Sequence, residues 1–203
     1  MVELDFQLTT DDVLVAVHDW DVEVPGARQG SVEAHESGLL RGDPAARTSS
    51  DLFPTLAEVL AEIDMSMPLN LEIKRRASDP ARLIEILGAA IAERTDVIVS
   101  SFDWPTLGLL RRELPDVPIA PLAKYTSEGL LDAAERMRAA SIHCKQILVE
   151  PTLVTDATRN GWPVLAFTVN RVEDAKSLFE QGVAGVFTDF PGRLRSSLAA
   201  ADG

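Results

Sequence analysis

Two short stretches of this chain place charged side chains two residues apart within apolar, strand-like runs. One stretch carries Glu3 and Asp5, and the other carries Glu72 and Lys74. In a β-strand, residues i and i+2 point to the same face. If both faces line the inside of a barrel, three carboxylates and an ammonium group meet, and like charges that close need a cation among them. We therefore predict a divalent metal site at Glu3, Asp5 and Glu72.

A histidine is predicted to join this site. The segment between Asp5 and His18 has two β-like arms on either side of Asp11-Asp12, a turn-prone pair. A hairpin centred on that pair sets His18 opposite Asp5 and returns its imidazole to the level of the carboxylates. Since an imidazole titrates near neutral pH, it can act there as an acid or a base.

The elements that position these residues alternate along the chain. The strand-like runs are Val2–Phe6, Leu69–Ile73, Asp96–Ser101, Val117–Leu122, Ala140–Cys144, Val164–Val169 and Ala184–Thr188. The helix-like runs are Pro54–Ile63, Asp79–Arg94, Trp104–Leu114, Ser127–Arg138, Glu150–Arg159, Val172–Gln181 and Pro191–Ala200. Capping residues and first-turn prolines mark several helix starts, and Gly161 and Gly182 stand where a helix should stop. Strand alternating with helix predicts a parallel sheet.

A barrel is favoured over an open, doubly wound sheet. No glycine-rich phosphate loop follows any predicted strand, as the open sheet would require. Polar residues instead follow many different strands, which is where a barrel places its catalytic groups. These residues are Asp5, Glu72, Lys74, Ser100, Ser101, His143, Asn170 and Asp189.

Composition limits the function classes. The 203 residues are 46% hydrophobic and 25% charged, which fits one globular domain spanning 1–203, with a mouth insertion at about 20–53. The net charge of −13 argues against nucleic acid and anionic membranes as partners. The single cysteine, the lack of a signal-peptide pattern and the lack of a bilayer-length apolar run predict a cytoplasmic protein without a membrane span.

Seven short motifs now stand in a recognisable order. They are Val2-Glu3-Leu4-Asp5, Leu14-Val15-Ala16-Val17-His18-Asp19, Pro54-Thr55-Leu56, Leu71-Glu72-Ile73-Lys74, Ser100-Ser101-Phe102, Thr168-Val169-Asn170 and Gly185-Val186-Phe187-Thr188-Asp189. Together they resemble the glycerophosphodiester phosphodiesterases, and the segment from Ser141 to Asp189 resembles the cytosolic bacterial members. The resemblance covers nearly the whole chain and implies a TIM-type (β/α)8 barrel of the phospholipase C-like kind.

The resemblance also implies a chemistry. Glu3, Asp5 and Glu72 would ligate Mg²⁺ or Ca²⁺, which are hard cations that take oxygen ligands. His18 would be one of two proton-exchanging histidines, and Lys74 would neutralise the phosphate. The family reaction cleaves a glycerophosphodiester, a small-molecule substrate, to glycerol 3-phosphate and an alcohol.

Four further residues are candidates for substrate contact, each with a structural alternative. His143 either contacts substrate or is a hydrogen-bonded histidine at a strand end. Asn170 either contacts substrate or holds a loop. Phe167 stands where the family often has Trp or Tyr, which favours a ring wall or a core position. Trp20 follows His18-Asp19 directly and either stacks on substrate or belongs to the core of the insertion.

One part of the family pattern is absent from these 203 residues. The family opens with a strand ending in His-Arg-Gly and a helix starting with Pro-Glu-Asn-Thr, and neither occurs here. We therefore expect a gapped barrel of seven strands that lacks its first βα unit, with open edges that favour self-association and with impaired activity. Met1 would then be an internal residue of the family pattern. Two alternatives stay open: a non-catalytic binding or regulatory protein that keeps metal and phosphate binding, and a lyase of the sphingomyelinase type.

Overall fold

The computed structural model describes residues 1–23, 30–41 and 53–199. The chain divides into two compact units, Met1–Val117 and Pro118–Gly203. In the described ranges, no helix combines the length and the apolar character needed to cross a membrane.

The described elements follow one another in the predicted alternation. The strands are β1 (Val2–Leu8), β2 (Leu14–Ala16), β3 (Asp21–Val22), β4 (Gly30–Ser31), β5 (Leu69–Ile73), β6 (Val97–Ser101), β7 (Ile119–Ala123), β8 (Ile142–Lys145), β9 (Val164–Phe167) and β10 (Gly185–Val186). The α-helices are α1 (Ser37–Arg41), α2 (Leu56–Glu62), α3 (Pro80–Ile91), α4 (Trp104–Glu113), α5 (Leu130–Met137), α6 (Pro151–Arg159), α7 (Val172–Glu180) and α8 (Pro191–Ala199). Two short 3₁₀ turns, Val32–Ala34 and Gln146–Leu148, complete the described elements.

The first unit is built on a sheet with the strand order β6-β5-β1-β2. Strand β5 pairs in parallel with both β1 and β6. Its residues alternate strictly, because Leu69, Leu71 and Ile73 are buried apolar side chains while Asn70 and Glu72 point to the other face. Strand β1 alternates in the same way. One face of the sheet therefore belongs to the apolar core, and the other collects polar groups.

The predicted hairpin forms, but its register differs by one residue from the prediction. Phe6 pairs with Ala16 and Leu8 with Leu14, and the N–H of Val17 donates to the carbonyl oxygen of Asp5 at 3.0 Å. Val17, and not His18, therefore lies opposite Asp5, so the predicted pairing was wrong. The turn uses three residues rather than two, with Asp12 in the left-handed region at φ 64°, and this odd loop length shifts the register by one position.

The described part of the predicted insertion packs against this hairpin. Strands β3 and β4 pair antiparallel, and the 3₁₀ turn and α1 follow them. Apolar side chains from this segment join those of β2 in a small buried cluster, made of Val15, Val17, Val22, Val32 and Leu40. Residues 24–29 and 42–52 of the predicted insertion lie outside the described residues, and its role over a barrel mouth stays a prediction.

The second unit has the strand order β10-β9-β8-β7, and its described pairs are parallel. Helices α5 to α8 connect and follow these strands. Gly161 and Gly182 end helices α6 and α7 with positive φ of 80° and 92°, as their positions in the sequence predict. The seven predicted parallel strands are all present in the described part of the chain, with bounds shifted by up to two residues.

Candidate active site

The carboxylates come together because of how β1 and β5 pair. Asp5 lies directly beside Glu72, and Glu3 lies beside Asn70. Adjacent residues of parallel strands point their side chains to the same face, so this register joins the two charged pairs on one face. One ligand oxygen from each of Glu3, Asp5 and Glu72 lies within 4.8 Å of the other two. The predicted convergence of the two pairs is thus seen in the geometry.

Lys74 completes the cluster from the end of β5. Its Nζ lies 3.1 Å from Oδ1 of Asp5 and donates to the carbonyl oxygen of His18 at 2.6 Å. The Lys74 side chain is only 10% exposed, so its charge is largely shielded from bulk water. A single ammonium group thus offsets part of the charge of three carboxyl groups.

The electrostatics of the cluster are unfavourable to three ionised carboxylates. Burial, followed by the charge of Asp5, raises the pKa of Glu3 from 4.5 to about 7, against the opposing effect of Lys74. Burial and the charge of Asp5 also raise the pKa of Glu72, from 4.5 to about 8. Near neutral pH and without a cation, Glu72 therefore favours its protonated form and Glu3 is close to half protonated.

The donor set fits a hard divalent cation. Oε1 of Glu3 and Oε1 of Glu72 are buried and have no hydrogen-bond partner among the described residues. An ion that lies about 2.0–2.6 Å from each oxygen allows ligand oxygens to be up to about 5 Å apart, which matches the cluster. A bound cation would supply these oxygens with a partner and would lower the pKa of both glutamates.

His18 enters this site through its backbone. Its carbonyl oxygen accepts from Lys74, while its side chain is 77% exposed and its Nδ1 lies 2.9 Å from Oδ1 of Asp19. The one-residue shift of the hairpin explains this arrangement, since neighbouring residues of a strand point to opposite faces. The imidazole stands at the end of β2 with Asp19 as its partner, and its catalytic role stays a prediction.

Gln7 is a site residue that its residue type does not reveal. It is fully buried, and its Nε2 donates to the carbonyl oxygens of Val17 at 3.1 Å and Asp19 at 2.8 Å. The available signal was its spacing, because Gln7 continues the alternation of Glu3 and Asp5 along the same face of β1.

Trp20 contacts the loop that follows β5. The guanidinium carbon of Arg76 lies 4.5 Å from the centroid of the indole ring, and Nη1 of Arg76 lies 3.8 Å from Oδ1 of Asp21. These contacts join the same two chain segments as the Lys74–His18 hydrogen bond. Trp20 and Arg76 each lie two residues beyond the residues of that bond. Trp20 therefore stands beside the cluster, with one face of its ring taken by a cation.

Glu33 ties the described part of the insertion to the same loop. Its carboxylate accepts from the N–H of Arg76 at 3.0 Å, the N–H of Ala77 at 2.7 Å and the hydroxyl of Ser78 at 2.8 Å. Burial by itself would raise the pKa of Glu33, but these hydrogen bonds outweigh it and the pKa lies below its ordinary value. No pattern of residues predicts this contact, because it joins residues more than 40 positions apart.

The remaining predicted site residues lie in the second unit. His143 is fully buried, with Nε2 2.9 Å from the hydroxyl of Ser141 and its ring centroid 5.0 Å from that of Phe187. Burial lowers its pKa to about 4, so the ring is neutral. Half-buried Phe167 ends β9. The substrate contacts predicted for both residues stay predictions.

Asn170 holds a loop in this structure. Its Nδ2 donates to Oδ2 of Asp189 at 2.7 Å, and its Oδ1 accepts from the N–H of Asp189 at 3.0 Å and the hydroxyl of Thr188 at 3.1 Å. Its carbonyl oxygen accepts from Arg193 at 2.7 Å. These contacts account for the residue by the structural alternative, and its contact with substrate stays a prediction.

Comparison with known proteins identifies the class and the family. The profile of the glycerophosphoryl diester phosphodiesterase family matches residues 1–193. A glycerophosphodiester phosphodiesterase from Caldanaerobacter subterraneus subsp. tengcongensis is 32% identical over 205 residues, which cover 95% of this chain and 83% of that protein. One from Bacillus altitudinis is 28% identical, with 95% and 83% covered.

Solved structures agree with the sequence relatives. A phosphodiesterase from Oleispira antarctica, in complex with the product sn-glycerol-3-phosphate, is 25% identical and superposes with a TM-score of 0.86 over 98% of this chain and 84% of that one. A glycerophosphodiester phosphodiesterase from Parabacteroides distasonis, 19% identical, has a TM-score of 0.81 over 99% and 84%. The fold is therefore that of the TIM-like barrel phosphodiesterases, and the predicted α/β class is confirmed. The chain belongs to the glycerophosphodiester phosphodiesterase family, whose members typically use a divalent metal ion.

Proposed function

We propose that this protein hydrolyses glycerophosphodiesters to glycerol 3-phosphate and an alcohol, with a divalent cation held by Glu3, Asp5 and Glu72. One observation carries the proposal: three carboxylates meet within 4.8 Å beside a shielded lysine, and two of them have buried oxygens without a partner among the described residues. Family membership supports the reaction class, and the product bound to the Oleispira antarctica enzyme supports glycerol 3-phosphate as the product.

A bound cation and Lys74 would both supply positive charge to the phosphodiester. The cation, when bound, supplies positive charge that stabilises the non-bridging oxygens of the phosphodiester. Lys74 adds an ammonium group whose direction is set by Asp5 and by the carbonyl oxygen of His18. Because a phosphodiester is anionic, this local positive charge is needed before a nucleophile can approach.

Proton transfer is assigned to His18. Its Nδ1 is engaged by Asp19, which leaves Nε2 as the nitrogen that exchanges a proton with substrate. The neighbouring carboxylate would orient the ring. In-line displacement at phosphorus needs proton transfer on both faces, and one histidine serves one face. We therefore propose that the protein turns over slowly, because a second positioned acid–base group would contribute a factor on the order of 10²–10⁴.

The proposal is tested with glycerophosphocholine and glycerophosphoethanolamine as substrates. Release of glycerol 3-phosphate is measured with Mg²⁺, with Ca²⁺ and with EDTA, for the wild type and for Glu72→Gln, Lys74→Met and His18→Asn. We expect activity that depends on the cation and falls at least ~100-fold in each variant. The matched control is Glu135→Gln, an exposed glutamate of α5. Hydrolysis that resists EDTA, or a wild-type rate for Glu72→Gln, would contradict the proposal.

A second candidate is a binding or regulatory protein that retains the metal and phosphate sites without turnover. The observation that favours it is the imidazole of His18, which is largely exposed and contacts Asp19 rather than the cluster. Tight binding of glycerol 3-phosphate in the presence of a cation, with no hydrolysis of any glycerophosphodiester, would select this candidate.

The self-association expected from open strand edges would be seen in the same preparation by light scattering.

A further inference from the structure

Gln7 is the third polar residue on the face of β1 that carries Glu3 and Asp5. Both hydrogen bonds donated by its Nε2 go to backbone carbonyl oxygens, those of Val17 and Asp19. These two carbonyls lie on either side of His18. The buried Gln7 carboxamide therefore holds the backbone both before and after His18.

The segment that Gln7 holds is the one that directs Lys74. The carbonyl oxygen of His18 accepts from Nζ of Lys74 at 2.6 Å, and Asp5 is the second acceptor at 3.1 Å. A lysine side chain is a flexible stem with a compact charge, so its direction depends on its acceptors. A displaced His18 carbonyl would leave Asp5 as the only one of these two acceptors in place and would redirect the ammonium group.

We infer that Gln7 is a positioning residue, whose carboxamide holds residues 17–19 so that Lys74 and the imidazole of His18 face a bound phosphodiester. The inference rests on the proposed function. A side chain that only filled space at this position would need volume but no donors, whereas Gln7 uses both hydrogens of its Nε2. Substitution can therefore distinguish the effect of the Gln7 hydrogen-bond donors from the effect of its side-chain volume.

Two variants make this separation. Gln7→Met keeps the length and volume of the side chain and removes both donors. Gln7→Glu keeps the shape and, when ionised, turns an acceptor toward the two carbonyl oxygens. Gln181→Met, at a half-buried position after α7 where Nε2 also donates to a backbone carbonyl oxygen, that of Ser177, controls for the substitution itself. Leu110→Ala, in the core of α4, controls for a general loss of stability.

Five quantities are measured for each protein. They are kcat and KM for glycerophosphocholine, the Kd of glycerol 3-phosphate with Ca²⁺ present, the Kd of Mn²⁺ alone, and amide hydrogen exchange in residues 16–20. We expect both Gln7 variants to lose roughly 10- to 100-fold in kcat, because small misplacements of catalytic groups have effects of that size. Glycerol 3-phosphate should bind several-fold more weakly, exchange in residues 16–20 should accelerate, and Mn²⁺ affinity should stay within about twofold, since the three carboxylates remain.

An unchanged kcat in Gln7→Met, or losses no larger than those of Leu110→Ala at equal stability, would overturn the inference. Failure of the proposed function has a different signature: the wild type would neither hydrolyse the substrate nor bind glycerol 3-phosphate. In that case, unchanged exchange in residues 16–20 of Gln7→Met would still refute the positioning role. Faster exchange confined to those residues, with weaker binding of inorganic phosphate, would still support it.

Discussion

Removal of one carboxyl group from the cluster is expected to stabilise the metal-free protein at alkaline pH. The pKa of Glu72 is raised from 4.5 to about 8 in the folded state, and that of Glu3 to about 7. Between pH 4.5 and these values the folded protein binds more protons than the unfolded chain. The free energy of unfolding therefore falls as pH rises through that window, by up to about 1.4 kcal/mol per pH unit for each group.

Glu72→Gln keeps the shape of the side chain and removes its titration. Since Glu72 and its neighbours are coupled, we expect the difference at pH 8.5 to be on the order of 2–3 kcal/mol in favour of the variant. For a protein of this size this corresponds to a melting temperature roughly 5–10 °C higher. At pH 4.5, where Glu72 is protonated in the folded state and about half protonated in the unfolded chain, wild type and variant should melt within a few degrees of each other.

The assay is thermal unfolding in EDTA at pH 4.5, 6.5 and 8.5, followed by the same series with Mg²⁺ or Ca²⁺. A cation at 100 times its Kd should restore about 2.7 kcal/mol to the wild type at pH 8.5, and far less to Glu72→Gln. Glu135→Gln serves as the exposed control. If the metal-free wild type is equally stable at pH 4.5 and 8.5, or if Glu72→Gln is the less stable protein at pH 8.5 in EDTA, the electrostatic reasoning is refuted.

Three further predictions concern the scaffold of the site. Glu33→Gln should lower stability by about 1–3 kcal/mol and accelerate hydrogen exchange in residues 76–78, because an amide cannot accept all the hydrogen bonds that the carboxylate accepts. Unchanged exchange there would mean that the Glu33 carboxylate does not hold this loop. Thr55→Ala removes one half of the capping box of α2 and should cost about 1 kcal/mol in urea denaturation, whereas a neutral result would mean that the helix start is held by packing. Gly108→Ala should stabilise α4 by about 0.5–1 kcal/mol, since a Cβ there meets open space. Gly182→Ala should destabilise the protein, because Gly182 has a φ of +92°. Effects of the same sign for both substitutions would contradict these two predictions.

Alternation along the strands was sufficient to predict most of the carboxylate cluster. Polar residues at every second position from Glu3 and from Asn70, among buried apolar ones, fix which side chains share a face. The sequence alone does not give the register of β1 on β5, yet the prediction needed only a shared face. The structure supplies this register, which places Asp5 beside Glu72.

The register of the β1–β2 hairpin could not be predicted from residue types alone. A turn rich in Thr and Asp is compatible with loops of two or of three residues, and the two choices differ by one residue in register. The chain takes the three-residue turn, with Asp12 in the left-handed region. As a result the carbonyl of His18, rather than its ring, meets Lys74. The contacts of Gln7 and Glu33 could not be predicted for a related reason. Both acceptors of Gln7, and the N–H donors of Arg76 and Ala77 to Glu33, are backbone groups that carry no residue-specific signal.

The stacking of Arg76 on Trp20 has a practical consequence. Indole emission responds to a nearby charge, and this ring carries a guanidinium group at 4.5 Å, two residues from His18. An anionic ligand that draws Arg76 away would change the colour and intensity of that emission. The chain has three tryptophans, so replacing Trp104 and Trp162 with phenylalanine leaves Trp20 as the single emitter. In that variant, Trp20 emission is expected to report ligand binding without a label and without a coupled enzyme.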